Sequence, residues 1–214
     1  MSYSIFLCGV GGQGLVLLTS VLGNACAKSD LEAKTGEMYG LSQRSGSVFV
    51  HMRIEAEAYS PLIPIGGADL MIGLEAIETL RYIEFLKKDG IILLNSRIMH
   101  PPIETSKLVT NKNEKYITLN EILAKLHIWT PNVATINALE LAKQSGTSNA
   151  ENTVFLGALS AIKAFPVNED QILESLKEIV PKKYIENNLM AFRLGKEKAY
   201  GELCSRLECK LPGK

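Results

Sequence analysis

The amino-acid sequence predicts an α/β fold: a Rossmann-like, mostly parallel sheet flanked by helices, with a helix-rich C-terminal half. Three observations point there. Residues 3–9 form a short, almost wholly apolar run ending on glycine, the pattern of a strand buried on both faces. Gly9-Val10-Gly11-Gly12-Gln13-Gly14 closes that run. Leu15, Leu18, Thr19, Leu22, Ala25 and Cys26 then recur at three- and four-residue spacing, so strand, glycine turn and amphipathic helix open a βαβ unit. From residue 119 onward one helical segment follows another.

Taken in order, residues 13–28 read as the first helix and 32–37 as a second strand, followed by a polar, glycine-punctuated loop over 38–47. Residues 48–54 alternate: Val48, Val50, Met52 and Ile54 share one face, with Phe49, His51 and Arg53 on the other. Tyr59-Ser60-Pro61 and Pro64 interrupt the chain before a strand over 69–74. A helix over 75–88, stopped by Asp89-Gly90, leads to a buried strand over 91–95. Residues 100–115 are proline-marked and lack periodicity. Helices are expected over 119–126, 132–145, 152–164, 169–180 and 186–207, with Asn168 as an N-cap and Gly146 as a stop signal. The chain is read as a single domain, 1–214, with an α/β core over about 1–130 and a helical completion over about 131–210.

Composition narrows the function classes. The 214 residues suffice for one well-cored domain. Lys and Arg number 23, as do Asp and Glu, so no global field draws nucleic acid or an anionic membrane. The N-terminus carries no basic leader, and no stretch approaches the roughly 18 apolar residues of a spanning helix. The four cysteines form no Cys-x-x-Cys pair, which argues against a zinc knuckle or a ferredoxin-type cluster. Cys8 and Cys26 read as buried thiols, and Cys204 and Cys209 as two free thiols in a frayed tail, in keeping with a reducing cytoplasm.

Gly9-x-Gly11-x-x-Gly14 fits the dinucleotide pattern in its proper context, after a strand and opening a helix. Glycine admits positive φ and removes the Cβ that blocks a phosphate, while exposed amides and the helix dipole favour an anion. The same turn also serves close packing of helix on sheet. A bound dinucleotide asks for an acid about 20 residues on. Glu32 and Glu37 are the candidates, and neither sits convincingly at a strand end. No Gly-x-x-x-x-Gly-Lys-Ser/Thr loop occurs, which argues against nucleotide hydrolysis.

The second unusual stretch is Glu37-Met38-Tyr39-Gly40-Leu41-Ser42-Gln43-Arg44-Ser45-Gly46-Ser47. Such a loop binds an anion through Arg44 and backbone amides, docks a partner chain, or is a solvated surface loop. The candidate ligand-binding residues are therefore Gly9, Gly11, Gly12, Gln13, Gly14, Gln43, Arg44, Ser45 and Gly46; no catalytic or metal-ligating residue is assigned. His51 is read as structural or partner-facing, Glu75 as a helix N-terminal carboxylate, Asn152 as a helix cap and Trp129 as a buried anchor. His100 falls in a loop, and His127 closes a helix.

Together the glycine turn, the Glu37-Met38-x-Gly40-x-Ser42-Gln43-Arg44-x-Gly46 loop and Tyr59-Ser60-Pro61-Leu62-Ile63-Pro64 resemble the gamma-type subunit family of 2-oxoacid:ferredoxin oxidoreductases. So do Ala68-Asp69-Leu70 leading to Gly73-Leu74-Glu75, and Asn152-x-x-x-Phe155-x-Gly157-Ala158-Leu159. The nearest branch is the beta subunit of indolepyruvate:ferredoxin oxidoreductase, and the resemblance spans roughly residues 4–195. Ser45 departs from it, standing where the family usually shows glycine. The resemblance implies a complex that decarboxylates a 2-oxoacid on thiamine diphosphate, passes electrons through iron–sulfur clusters to ferredoxin and releases an acyl-CoA. Thiamine diphosphate, magnesium and the clusters are expected on a large partner subunit. This chain, which lacks a Gly-Asp-Gly thiamine motif and cluster-spaced cysteines, is expected to be inactive alone. Coenzyme A enters as co-substrate, and the glycine turn is expected to serve close packing or a coenzyme A phosphate. The alternatives are a gamma subunit for pyruvate or another 2-oxoacid, a free-standing NAD(P)-binding oxidoreductase, or a scaffold protein. An apolar docking face also makes a homodimer of the isolated chain plausible.

Overall fold

β1 (Tyr3–Val10) is buried at every residue, because it runs through the middle of a six-stranded sheet with helices on both faces. The computed structural model describes residues 2–39, 46–54, 60–99 and 117–210. After β1 come α1 (Leu15–Lys28), β2 (Ala33–Tyr39), β3 (Ser47–Ile54), β4 (Ala68–Gly73), α2 (Ala76–Arg81) and β5 (Leu86–Asn95). The helical half follows: α3 (Leu119–Trp129), β6 (Val133–Ile136), α4 (Ala138–Gln144), α5 (Glu151–Ser160), α6 (Glu169–Ile179) and α7 (Ile185–Leu203).

The strand order is β2-β3-β1-β4-β5-β6. β1, β4, β5 and β6 pair in parallel, whereas β3 runs against both β1 and β2. One core lies on the α1 side, where Ile5, Leu7, Leu18, Leu22, Val50 and Phe155 meet. The other lies on the α2–α3 side and holds Phe6, Cys8, Met71, Ile92, Ile122 and Leu126. The alternation read in residues 48–54 serves this arrangement: Val50, Met52 and Ile54 enter the first core, and Phe49 packs on the second.

Four expectations are corrected. The helix expected over 132–145 is strand β6 followed by α4. Pro131 breaks the chain, Val133, Thr135 and Ile136 are β-branched, and Asn137 starts a new helix by accepting the Glu140 N–H at 3.2 Å. The helix expected over 75–88 ends at Arg81 and passes through a short 3-10 turn, Ile83–Phe85. β5 already begins at Leu86, with a bulge: Leu86 lies opposite Ala68 and Ile91 opposite Leu70, so the chain between loops out, with Asp89 at φ 60°. Asn152 does not cap; Ala150 holds that position and Asn152 lies inside α5. Finally, Cys204 and Cys209 are joined as a disulfide, Cα atoms 5.5 Å apart. The tail turns back after α7 and pairs with the end of α5, Lys210 N–H donating to the Ala161 carbonyl at 2.8 Å and Lys163 N–H to Glu208 at 3.2 Å.

Glycines 157 and 195 set the tightest contact of the helical half. α5 crosses α7 so closely that a Cβ on Gly157 would strike the Phe192 carbonyl, and one on Gly195 the Val154 carbonyl. Gly146 ends α4 at φ 94°, its N–H donating to Lys143 at 2.9 Å. Asn168 precedes α6 as expected but makes no side-chain cap hydrogen bond.

Candidate functional site

The sheet changes direction of growth between β1 and β4. From β1 the chain crosses by α1 to β2 on one side; from β4 it proceeds by β5 to β6 on the other. In open α/β sheets such a switch point leaves a crevice beyond the carboxyl ends of the strands. Here it is a cavity of about 320 Å³ lined by Gly11, Gly12, Gln13, Gly14, Leu74, Asn95, Arg97, Met99, Ser148, Asn149, Glu151, Asn152 and Phe155.

The glycine turn forms its first wall. Gly12 sits at φ 93° and Gly14 at φ 76°, conformations an L side chain resists, and Gly14 is the N-cap of α1 with no side chain capping the helix. The positive end of the α1 dipole therefore faces the cavity. Gln13 braces the turn. Its Oε1 accepts the Val10 N–H at 2.8 Å and its Nε2 donates to the Leu74 carbonyl at 2.9 Å, tying β1 to the end of β4. Gly9 lies beneath, packed against Gln13 and Leu74.

The second wall comes from the end of β5. Buried Asn95 donates to the Leu74 carbonyl at 3.2 Å. Glu75, also buried, accepts N–H groups from Glu78 at 2.8 Å and Met99 at 2.9 Å, so it caps α2 and anchors the segment carrying Arg97. Burial pushes its carboxyl above the usual range, against those hydrogen bonds. α5 supplies the third wall: Asn152 donates to the Gly14 carbonyl at 3.1 Å, and Glu151 stands 3.5 Å from Arg97 across the crevice.

Of the residues singled out from sequence, Gly11, Gly12, Gln13 and Gly14 line this cavity. Gly46 is held beside it, accepting the Gly11 N–H at 2.9 Å. Gln43, Arg44 and Ser45, like His100, lie outside the described residues. Glu32 pairs with Lys34 at 3.2 Å, and Glu37 belongs to β2, which β3 separates from β1. The inserted strand removes both acids from the place where a dinucleotide ribose would need one. His51 is structural: its Nδ1 accepts the Ile63 N–H at 3.1 Å inside a cluster with Phe6, Phe49 and Phe85, and burial lowers its pKa. Trp129, expected as a buried anchor, is instead exposed at the end of α3 (37%), tethered by its indole N–H donating to the Leu86 carbonyl at 3.0 Å.

Sequence reading missed Asn95, Arg97, Asn149 and Glu151. Only the position of Asn95 at the carboxyl end of a buried strand could have flagged it. The cysteines do not converge: Cys8 and Cys26 are buried in different cores, their thiols pushed up by desolvation, and Cys204 is bonded to Cys209. Among the described residues no group of three or more His, Cys, Asp or Glu side chains is placed to hold a metal ion, and no helix is long and apolar enough to cross a membrane.

Comparison with known proteins places this geometry. Residues 4–198 match the family described as pyruvate ferredoxin/flavodoxin oxidoreductase. Indolepyruvate oxidoreductase subunit IorB of Archaeoglobus fulgidus is 38% identical over 93% of this chain and 96% of its own. Further relatives carrying that subunit name are 33–36% identical, whereas subunits of pyruvate synthase and 2-oxoglutarate synthase are 26–28% identical. The gamma subunit of a keto/oxoacid ferredoxin oxidoreductase from Geobacter sulfurreducens shares the fold, with a TM-score of 0.70 at 23% identity, covering 94% of this chain and 98% of that one. A 2-oxoglutarate:ferredoxin oxidoreductase from Magnetococcus marinus matches with a TM-score of 0.69 at 19% identity, covering 99% of this chain but 33% of that longer one. The chain belongs to the pyruvate ferredoxin/flavodoxin oxidoreductase family, and it corresponds to a small subunit of such an enzyme.

Proposed function

We propose that this chain is the cluster-free subunit of an indolepyruvate-type 2-oxoacid:ferredoxin oxidoreductase. It docks on a large subunit that carries thiamine diphosphate, magnesium and iron–sulfur clusters. The complex converts an aryl 2-oxoacid and coenzyme A to acyl-CoA, carbon dioxide and reduced ferredoxin. The observation that carries the reading is the step in identity, from 33–38% for relatives named indolepyruvate oxidoreductase subunits down to 26–28% for those named for pyruvate or 2-oxoglutarate.

In this assignment decarboxylation and electron transfer belong to the large subunit, and the present chain positions. Its switch-point crevice takes an anionic part of coenzyme A, with the α1 N-terminus and Arg97 as the positive wall. The Gln43-Arg44-Ser45-Gly46 loop faces the partner subunit. Two features support that orientation. The Gly11–Gly46 hydrogen bond fixes the loop's last residue beside the crevice, and Ser47 is clamped by the Glu78 carboxylate at 2.6 Å and by Tyr82 at 2.8 Å.

The test is reconstitution. Co-expression with the large subunit is expected to give a brown complex that reduces ferredoxin with arylpyruvates, and neither chain is expected to do so alone. A chain that neither binds a cluster-bearing partner nor supports that reaction would sink the reading. Arg44→Ala in the complex is expected to change assembly, the KM for coenzyme A or kcat; no change in any of them overturns the role given to the loop. Tight NAD(H) binding by the isolated chain, measured by calorimetry, would replace this function with that of a nicotinamide-dependent oxidoreductase.

A further inference from the structure

Within the crevice described above, the positive wall is already answered by a negative group of the chain itself. Arg97 is the cation among the described lining residues, and Glu151 meets it at 3.5 Å from the first turn of α5. The pair is loose: one guanidinium nitrogen faces one carboxylate oxygen, and the side chains are 43% and 25% exposed. Exposed monodentate pairs of this kind contribute little to stability. Among the described residues no second carboxylate fills the rest of the guanidinium's donor fork, a geometry suited to an incoming oxyanion. Glu151, once released, stays in the positive field at the N-terminus of its own helix, so moving off Arg97 costs it little.

We propose that Glu151 is a built-in counter-ion that a phosphoanion displaces. The ligand's phosphoryl oxygens take over the Arg97 fork and the uncapped amides of α1, and Glu151 swings to solvent. Glu151 thereby sets how tightly the crevice holds its ligand, and selects for phosphoryl groups, whose charge competes with a carboxylate. The proposal rests on the reading of the crevice as the coenzyme A side of the subunit, and it adds which residue opposes binding.

The experiment uses the full chain, with inorganic pyrophosphate and adenosine 3′,5′-bisphosphate as probes, in titration calorimetry at fixed ionic strength. Glu151→Gln is expected to tighten both probes about 5-fold, the effect of removing one competing charge near the surface. Arg97→Ala is expected to weaken them 10-fold or more, as the loss of a charge-assisted contact does, and Arg97→Lys to fall between. Should Arg97→Ala fold poorly, Glu151→Gln and Arg97→Lys decide alone. Weaker or unchanged binding in Glu151→Gln overturns the counter-ion role, and so does the absence of any phosphoanion binding. If the complex still assembles and turns over in that case, the subunit assignment survives and only the reading of the crevice falls.

Discussion

Glycine does opposite things at the two places where α5 meets its neighbours. Beside the amino end of α5, the α1 turn of Gly12 and Gly14 carries the backbone past the crevice at positive φ angles; nothing lies where a Gly12 side chain would go, and only the Asn152 side chain stands where one on Gly14 would. Midway along the helix, Gly157 is shut against Phe192 of α7, and Gly195 against Val154. The first pair of glycines shapes a surface that a ligand can reach; the second removes a surface altogether. Asn152 and Gly157 therefore belong to one device, α5 holding the turn by a side-chain hydrogen bond while it is itself held at the crossing. A glycine in the sequence does not say which kind it is. The backbone angle and the neighbour decide.

The sharpest way to break this comparison is Gly157→Ala. Backbone blocks the new methyl, so α5 and α7 must separate, and a loss of about 3 kcal/mol or more is expected in urea unfolding. A loss below about 1 kcal/mol would show the crossing to be slack. Next comes reduction of Cys204–Cys209, which ties down the tail paired with the end of α5. Opening so short a loop is expected to lower stability by about 2 kcal/mol while leaving phosphoanion binding unchanged. Gly14→Ala is expected to cost about 1–2 kcal/mol, because φ is 76° and the Asn152 amide stands where the methyl would go. The double variant with Asn152→Ala should recover part of that loss, and strict additivity would mean the two residues do not act together.

The smallest effect is a control in the opposite core. Burial holds the His51 pKa below its ordinary 6.5, so the unfolded chain takes up a proton first as pH falls. Stability is therefore whole above about pH 6.5 and declines below it, until the folded-state histidine also titrates. His51→Gln is expected to flatten that decline without touching the crevice, and an unchanged profile would show that another group titrates there.

Much of the amino-terminal half could be read directly. β1, the glycine turn and α1 announce themselves because apolar continuity, glycine spacing and helical periodicity fall in immediate succession. The alternation at 48–54 is as plain, since both cores draw on β3. β6 was hidden by its length: Val133-Ala134-Thr135-Ile136 is short enough to be absorbed into the helical pattern of Ala138 onward. The crevice was half-legible for a different reason. Its glycine wall is one contiguous motif, but Asn95, Arg97, Asn149 and Glu151 are polar residues of ordinary local context, brought together only by the fold. The disulfide gave no local signal either, because it depends on the tail returning to pair with Ala161–Ile162.

The crossing of α5 and α7 also has a mechanical meaning. Gly157 is the fulcrum, and Asn152 stands about 7 Å toward the amino end at the ordinary helical rise of ~1.5 Å per residue. A tilt of about 5° about that point would shift Asn152 by roughly 0.6 Å, enough to stretch its 3.1 Å hold on Gly14 beyond hydrogen-bonding range. The tail bound at the helix's other end resists that tilt from the far side of the fulcrum. A tilt of α5 would thus be felt at the glycine turn as a change in the turn's stiffness.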